Sequence, residues 1–90
     1  MEINFLIHGL FMDRVIRLNT RVQLQDTATF TDLLEAIRPH IGFDLLTCLK
    51  NGSENPIILL NGENLRLPNG LDQPLRIGDE VSILQAVAGG

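Results

Sequence analysis

Ninety residues at 10.0 kDa leave room for a single domain, and a chain of that length buries roughly 60–65% of the surface it exposes when unfolded. With 44% hydrophobic and 20% charged residues it matches globular composition and departs from disordered or fibrous chains. Seven basic against eleven acidic residues give a formal charge of −4. The six arginines (Arg14, Arg17, Arg21, Arg38, Arg66, Arg76) are scattered along the chain, so the concentrated positive field that nucleic-acid binding needs is missing.

Glu2 to His8 alternates with period two, Ile3, Phe5 and Ile7 on one face and Asn4, Leu6 and His8 on the other, which predicts a strand. Gly9 to Asp13 is expected to turn. Val15, Ile16, Leu18, Val22 and Leu24 read as a second strand, bent near Asn19-Thr20, and the pair as a hairpin. A helix follows, with Thr29 as N-cap and Asp32 three residues on. Phe30, Leu33, Leu34 and Ile37 recur at helical spacing, and Pro39 is expected to stop the helix because it lacks an N–H. Phe43 to Leu49 predicts one or two further helical turns ending before Gly52.

Pro56-Ile57-Ile58-Leu59-Leu60 is an apolar run of strand length, and Asn61-Gly62 is the dipeptide best able to take positive φ at a tight turn. Leu65 and Leu67 alternate briefly before Pro68-Asn69-Gly70. Leu71 to Ile77 reads as a loop anchored by buried Leu75 and Ile77. Gly78-Asp79, with Asp79 shaping the turn, leads into a last strand, Glu80 to Leu84. The order β-β-α-(short α)-β-β-β excludes a simple βαβ unit. The economical packing is a mixed sheet of four to five strands, first and last strands central and parallel, with one main helix across one face. This is an α+β fold of the β-grasp type, expected over residues 1–84, with residues 85–90 as a flexible tail.

No residue from Val81 to Gly90 is charged, and the sequence closes on Gly89-Gly90. With glycine at about 7% of residues, two in succession at the end have a chance on the order of 0.5%, too weak alone and stronger after a central strand. A terminal carboxylate is inert as an acyl donor until converted, for instance by ATP, into a mixed anhydride. Bringing it beside the α-phosphate through a narrow channel favours residues without Cβ, which permit close approach.

Gly78-Asp79-Glu80-Val81-Ser82-Ile83-Leu84 with the closing Ala86-Val87-Ala88-Gly89-Gly90 resembles the C-terminal signature of the MoaD/ThiS sulfur carriers, which are ubiquitin-like β-grasp proteins. Leu59-Leu60-Asn61-Gly62 resembles that family's apolar strand ending in Asn-Gly, and Thr29-Phe30-Thr31-Asp32-Leu33-Leu34 the start of its long helix. The length and the Ala-Val-Ala-Gly-Gly ending are more similar to the MoaD branch, although Gln85 stands where MoaD members usually carry proline. The resemblance implies that an E1-like adenylyltransferase of the MoeB/ThiF type adenylates Gly90 with ATP. A sulfur donor protein then displaces AMP to leave a thiocarboxylate, and the tail Ala86, Val87, Ala88, Gly89 threads into a client. The client implied first is the large subunit of molybdopterin synthase, in molybdenum cofactor biosynthesis. The chain itself would bind no cofactor and supply no acid or base, ATP belonging to the activating enzyme.

If Ile3, Phe5, Ile7, Ile58, Leu60, Val81 and Ile83 face the helix, the pleat turns Leu6, Leu59 and Leu84 outward, with Ile57 and His8 at their margin. Apolar side chains gathered on an open sheet face suggest partner docking. An acidic protein is suited to a basic partner surface. His8 and His40 stand without companion ligands, so no metal site is expected. Cys48, the single cysteine, reads as a buried packing residue. No run approaches the ~18 apolar residues of a membrane span, and Met1 to Asn4 lack a signal peptide's opening, so a cytoplasmic location without membrane contact is expected. The competing readings are a carrier for thiamine, tRNA thiolation or tungsten cofactor, a protein modifier conjugated through Gly90, and a non-catalytic β-grasp interaction module.

Overall fold

The computed structural model describes residues 1–86. In chain order they form strands β1 (Glu2–Phe11) and β2 (Arg14–Gln23), helices α1 (Phe30–Ile41) and α2 (Leu45–Asn51), strands β3 (Ile57–Leu60) and β4 (Glu63–Asn64), a 3-10 turn at Asn69–Asp72, and strand β5 (Glu80–Gln85). One sheet holds all five strands in the order β2-β1-β5-β3-β4. β1 and β5 run parallel at its centre, from Asn4 against Glu80 to Gly9 against Gln85. The other pairings are antiparallel. This is the mixed α+β sheet that the element order predicts.

Alternation places every second residue of the central strands in one core. Ile3, Phe5, Ile7 and Phe11 of β1, Val81 and Ile83 of β5 and Ile58 of β3 pack with Phe30, Leu33, Leu34, Ile37 and Ile41 of α1. Each such side chain contributes about 1.5–3 kcal/mol when fully buried. Leu60, expected with them, is half-buried.

The hairpin differs from the expected one. β1 continues through Gly9 to the buried Phe11, and the turn shrinks to Met12 and Asp13, with φ of 47° and 63°. Those are the positive angles of the hairpin turn whose twist matches its strands, usually marked by Asn-Gly, so Met-Asp hides it. Gly9 serves proximity instead of turning. At φ 149°, a Cβ built on it would lie 2.0 Å from the Gln85 carbonyl oxygen. β2 shows no break at Asn19-Thr20, and its pairing with β1 runs unbroken from Arg14 to Gln23.

The cap of α1 is as predicted. The Thr29 N–H donates to Asp32 Oδ2 at 2.8 Å, and the Asp32 N–H donates back to Thr29 Oγ1 at 3.4 Å. Pro39, however, does not end the helix, which runs to Ile41 and closes at Gly42 with φ 83°. Pro39 lies exposed in the last turn, on the side of the exposed Glu35, where the carbonyl it cannot pair is left to water. Burial of Ile41 rewards the extra turn. Asp44 caps α2 by accepting from the Thr47 N–H at 3.1 Å and the Thr47 hydroxyl at 2.8 Å.

Beyond the Asn61-Gly62 turn, whose φ values of 52° and 83° fit the dipeptide, β4 is only Glu63–Asn64. Leu65 continues the pairing through one bond, its N–H to the Ile58 carbonyl at 2.8 Å. Leu75 is buried as expected, but Ile77 is 78% exposed. The cause is local: the Asp79 N–H donates to the Arg76 carbonyl at 3.0 Å, making Ile77 the outer residue of a tight turn. Asp79 shapes that turn, accepting from the Arg76 N–H at 2.8 Å and from Asn61 Nδ2 at 2.9 Å.

Gly9→Ala is expected to cost at least about 3 kcal/mol, since the clash is with backbone that has nowhere to go; urea unfolding measures it. Hydrogen bonds from the Thr47 N–H, then its hydroxyl, hold the Asp44 carboxyl below its ordinary value of 3.8, with a smaller contribution from the Arg38 charge. A depressed folded-state value means stability present above 3.8 and lost as pH falls through the lower folded value. Asp44→Asn should therefore flatten the acid limb of stability against pH, leaving the variant slightly less stable than the wild type at neutral pH and the two converging in acid, as denaturation across an acid pH series will show.

Candidate functional site

Two features meet at the end of β5. One is the root of the C-terminal segment. Gln85, the last residue of β5, occupies a core-side position in phase with Val81 and Ile83, and its amide finds two acceptors there. Nε2 donates to the Leu10 carbonyl at 2.6 Å and to Glu54 Oε2 at 2.7 Å. The other Glu54 oxygen accepts from the Met12 N–H at 2.7 Å. Ala86 follows and is exposed. Val87, Ala88, Gly89 and Gly90, the remaining tail residues of the sequence reading, lie outside the described residues.

The other feature is the sheet face turned away from α1. Register brings Leu6 beside Ser82 and Ser82 beside Leu59, while His8 lies beside Leu84 and Leu84 beside Ile57. Leu6, Leu59 and Leu84 are half-buried, and Ile57 and His8 are exposed. The same face carries Leu10 and, across the hairpin, Val15, which is 51% exposed. Both were missed from sequence, because placing the turn at Gly9 removed Leu10 from its strand; the apolar alternation Leu6, His8, Leu10 was the signal available.

The fold also gathers what the sequence scatters. Three of the arginines, Arg14, Arg17 and Arg21, stand on β2. Arg17 lies opposite His8 and Arg21 opposite Asn4 on the open face, where Arg21 Nε is 3.7 Å from Glu2 Oε1. Arg14, on the other face, lies 5.9 Å from the Phe43 ring centroid. The open face thus has a cationic margin on one side, although the whole chain is acidic. Cys48 is half-buried and not fully buried as expected, its Sγ 3.9 Å from Met12 Sδ. Among the described residues no three His, Cys, Asp or Glu side chains converge as a metal site would require, and no helix is long and apolar enough to cross a membrane.

A sheet of this order, with parallel first and last strands and an uncharged segment closing on Gly-Gly, defines a ubiquitin-like β-grasp protein. The ThiS family model matches residues 10–90, and the chain belongs to that family. A protein of Archaeoglobus fulgidus named "Putative sulfur carrier protein" is 42% identical over 65 residues, 69% of this chain and 74% of that relative. The crystal structure of SAMP1 from Haloferax volcanii covers 100% of both chains with a TM-score of 0.63 at 23% identity. The solution structure of the Haloferax volcanii HVO 2177 protein has the same TM-score, 0.63, at 26% identity over 100% of this chain and 87% of that one.

Proposed function

We propose that this member of the ThiS family carries sulfur as a thiocarboxylate on Gly90 and delivers it in the cytoplasm as the small subunit of molybdopterin synthase. The observation that carries the reading is a family match that runs from the sheet through Gly89 and Gly90 to residue 90. The Ala86-Val87-Ala88-Gly89-Gly90 motif supports the molybdopterin branch.

In the proposed cycle a Gly90 carboxylate oxygen attacks the α-phosphate of ATP held by an E1-like adenylyltransferase, and pyrophosphate leaves. A hydrosulfide equivalent from a sulfur donor protein then attacks the acyl carbon, AMP departs with the bonding pair, and a proton is released. The resulting anion is a soft nucleophile, which the client, the large subunit of molybdopterin synthase, consumes. No acid or base from this chain takes part and no cofactor stays on it. Its own contribution is geometric. Leu6, Leu59 and Leu84, with Leu10, Ile57 and Val15 around them, supply an apolar surface on which either partner can seat the domain, and the segment from Ala86 to Gly90 reaches into the partner's site.

Incubation with an E1-like adenylyltransferase, ATP and sulfide should raise the intact mass by about 16 Da, the difference between sulfur and oxygen, at the C-terminal residue. Deleting Gly90 should abolish the gain. A mature mass extending beyond Gly90, or Gly-Gly remnants on target lysines without thiocarboxylate, would refute the carrier reading. Molybdopterin formation on adding the thiocarboxylated chain to the large subunit tests the client; transfer only to a thiamine or tRNA-thiolating enzyme would reassign it. Leu84→Asp should weaken association with the adenylyltransferase and the client by at least about tenfold while the domain still folds, because buried apolar anchors dominate such interfaces; calorimetry for each pair measures this.

A further inference from the structure

The link between Gln85 and Glu54 spans 31 positions of sequence and closes a circuit through two separate elements. Glu54 belongs to the segment between α2 and β3. Its Oε1 fixes the hairpin turn through the Met12 N–H at 2.7 Å, and its Oε2 takes one hydrogen of the Gln85 amide at 2.7 Å. The second hydrogen of that amide goes to the Leu10 carbonyl at 2.6 Å. Both acceptors demand a donor, so the chemistry leaves one orientation of the amide. The Gln85 backbone is held as well, by its parallel pairing with Gly9, whose missing Cβ lets the two strands approach closely there. Neither constraint serves the hydrophobic core. Both act on the last residue before the segment leaves the sheet.

We infer that Gln85 and Glu54 are positioning residues that set the heading on which the C-terminal segment departs from β5. The chain then leaves the sheet at Ala86 in a fixed direction, and less orientational freedom is left for a partner to remove before the carboxylate reaches the α-phosphate. Without the clamp the docking face is intact and the segment starts from a loose end.

The inference rests on the carrier reading only for its kinetic arm. Gln85→Met keeps the length of the side chain and removes both donated bonds, while Gln85→Glu sets a carboxylate against the Glu54 carboxylate and the Leu10 carbonyl. In the full-length chain, the Ala86 N–H residual dipolar coupling should fit the orientation of the folded domain in the wild type and collapse toward zero in both variants. Couplings of Asn4 to Phe11 should be unchanged, which shows that the fold persists. In the adenylation assay, Gln85→Met should lower kcat about fivefold or more with KM nearly unchanged, the signature of lost alignment with docking retained. Glu54→Gln combined with Gln85→Glu re-creates one donor–acceptor pair across the link and should recover part of both losses. An Ala86 coupling that stays at its wild-type value in Gln85→Met overturns the inference, as does a defect confined to KM. If the wild-type chain is never adenylated the carrier reading fails, and the dipolar couplings alone still decide whether the clamp sets the heading.

Discussion

The parallel contact between β1 and β5 is the constraint on which the rest of the structure depends. It brings residues from the two ends of the sequence together at the middle of the sheet, Asn4 against Glu80 and Gly9 against Gln85. The intervening chain must therefore pass over one face, and α1 does so with five buried side chains. The hydrogen bonds of such a ladder are modest in net worth. What fixes the arrangement is the apolar area of Ile3, Phe5, Ile7, Val81 and Ile83, which a shift of one residue along either strand would turn out into water.

The same contact gives the sheet two unlike faces. The core side is filled by the β1, β3 and β5 residues that meet α1. The opposite side is left with leucines that no element of the described residues covers.

Much of this was legible in the sequence because it is written in short-range rules. The alternation of Ile3, Phe5 and Ile7, the Thr29-Asp32 cap and the Asn61-Gly62 turn each involve neighbours a few residues apart. What escaped depends on distant partners. Gly9 looks like a turn residue until Gln85 is placed beside it, and losing Gly9 to a turn also hid Leu10 and Phe11. Pro39 reads as a terminator unless Ile41 is known to have a core to enter. Ile77 reads as an anchor unless the Arg76–Asp79 turn is seen to point it out. Glu54 carries no local signal, since its two donors come from the hairpin turn and the end of β5.

The outer rim of β2 has a consequence of its own. Ten residues of strand lie at the margin of the sheet with β1 on one side, and an open strand of that length is a template on which further copies can stack. Arg14, Arg17 and Arg21 stand along it without a single carboxylate in the strand. Two such rims brought together would confront guanidinium with guanidinium, at a cost that grows with every added molecule. The charge carried by that strand therefore works against edge-to-edge pairing of two copies.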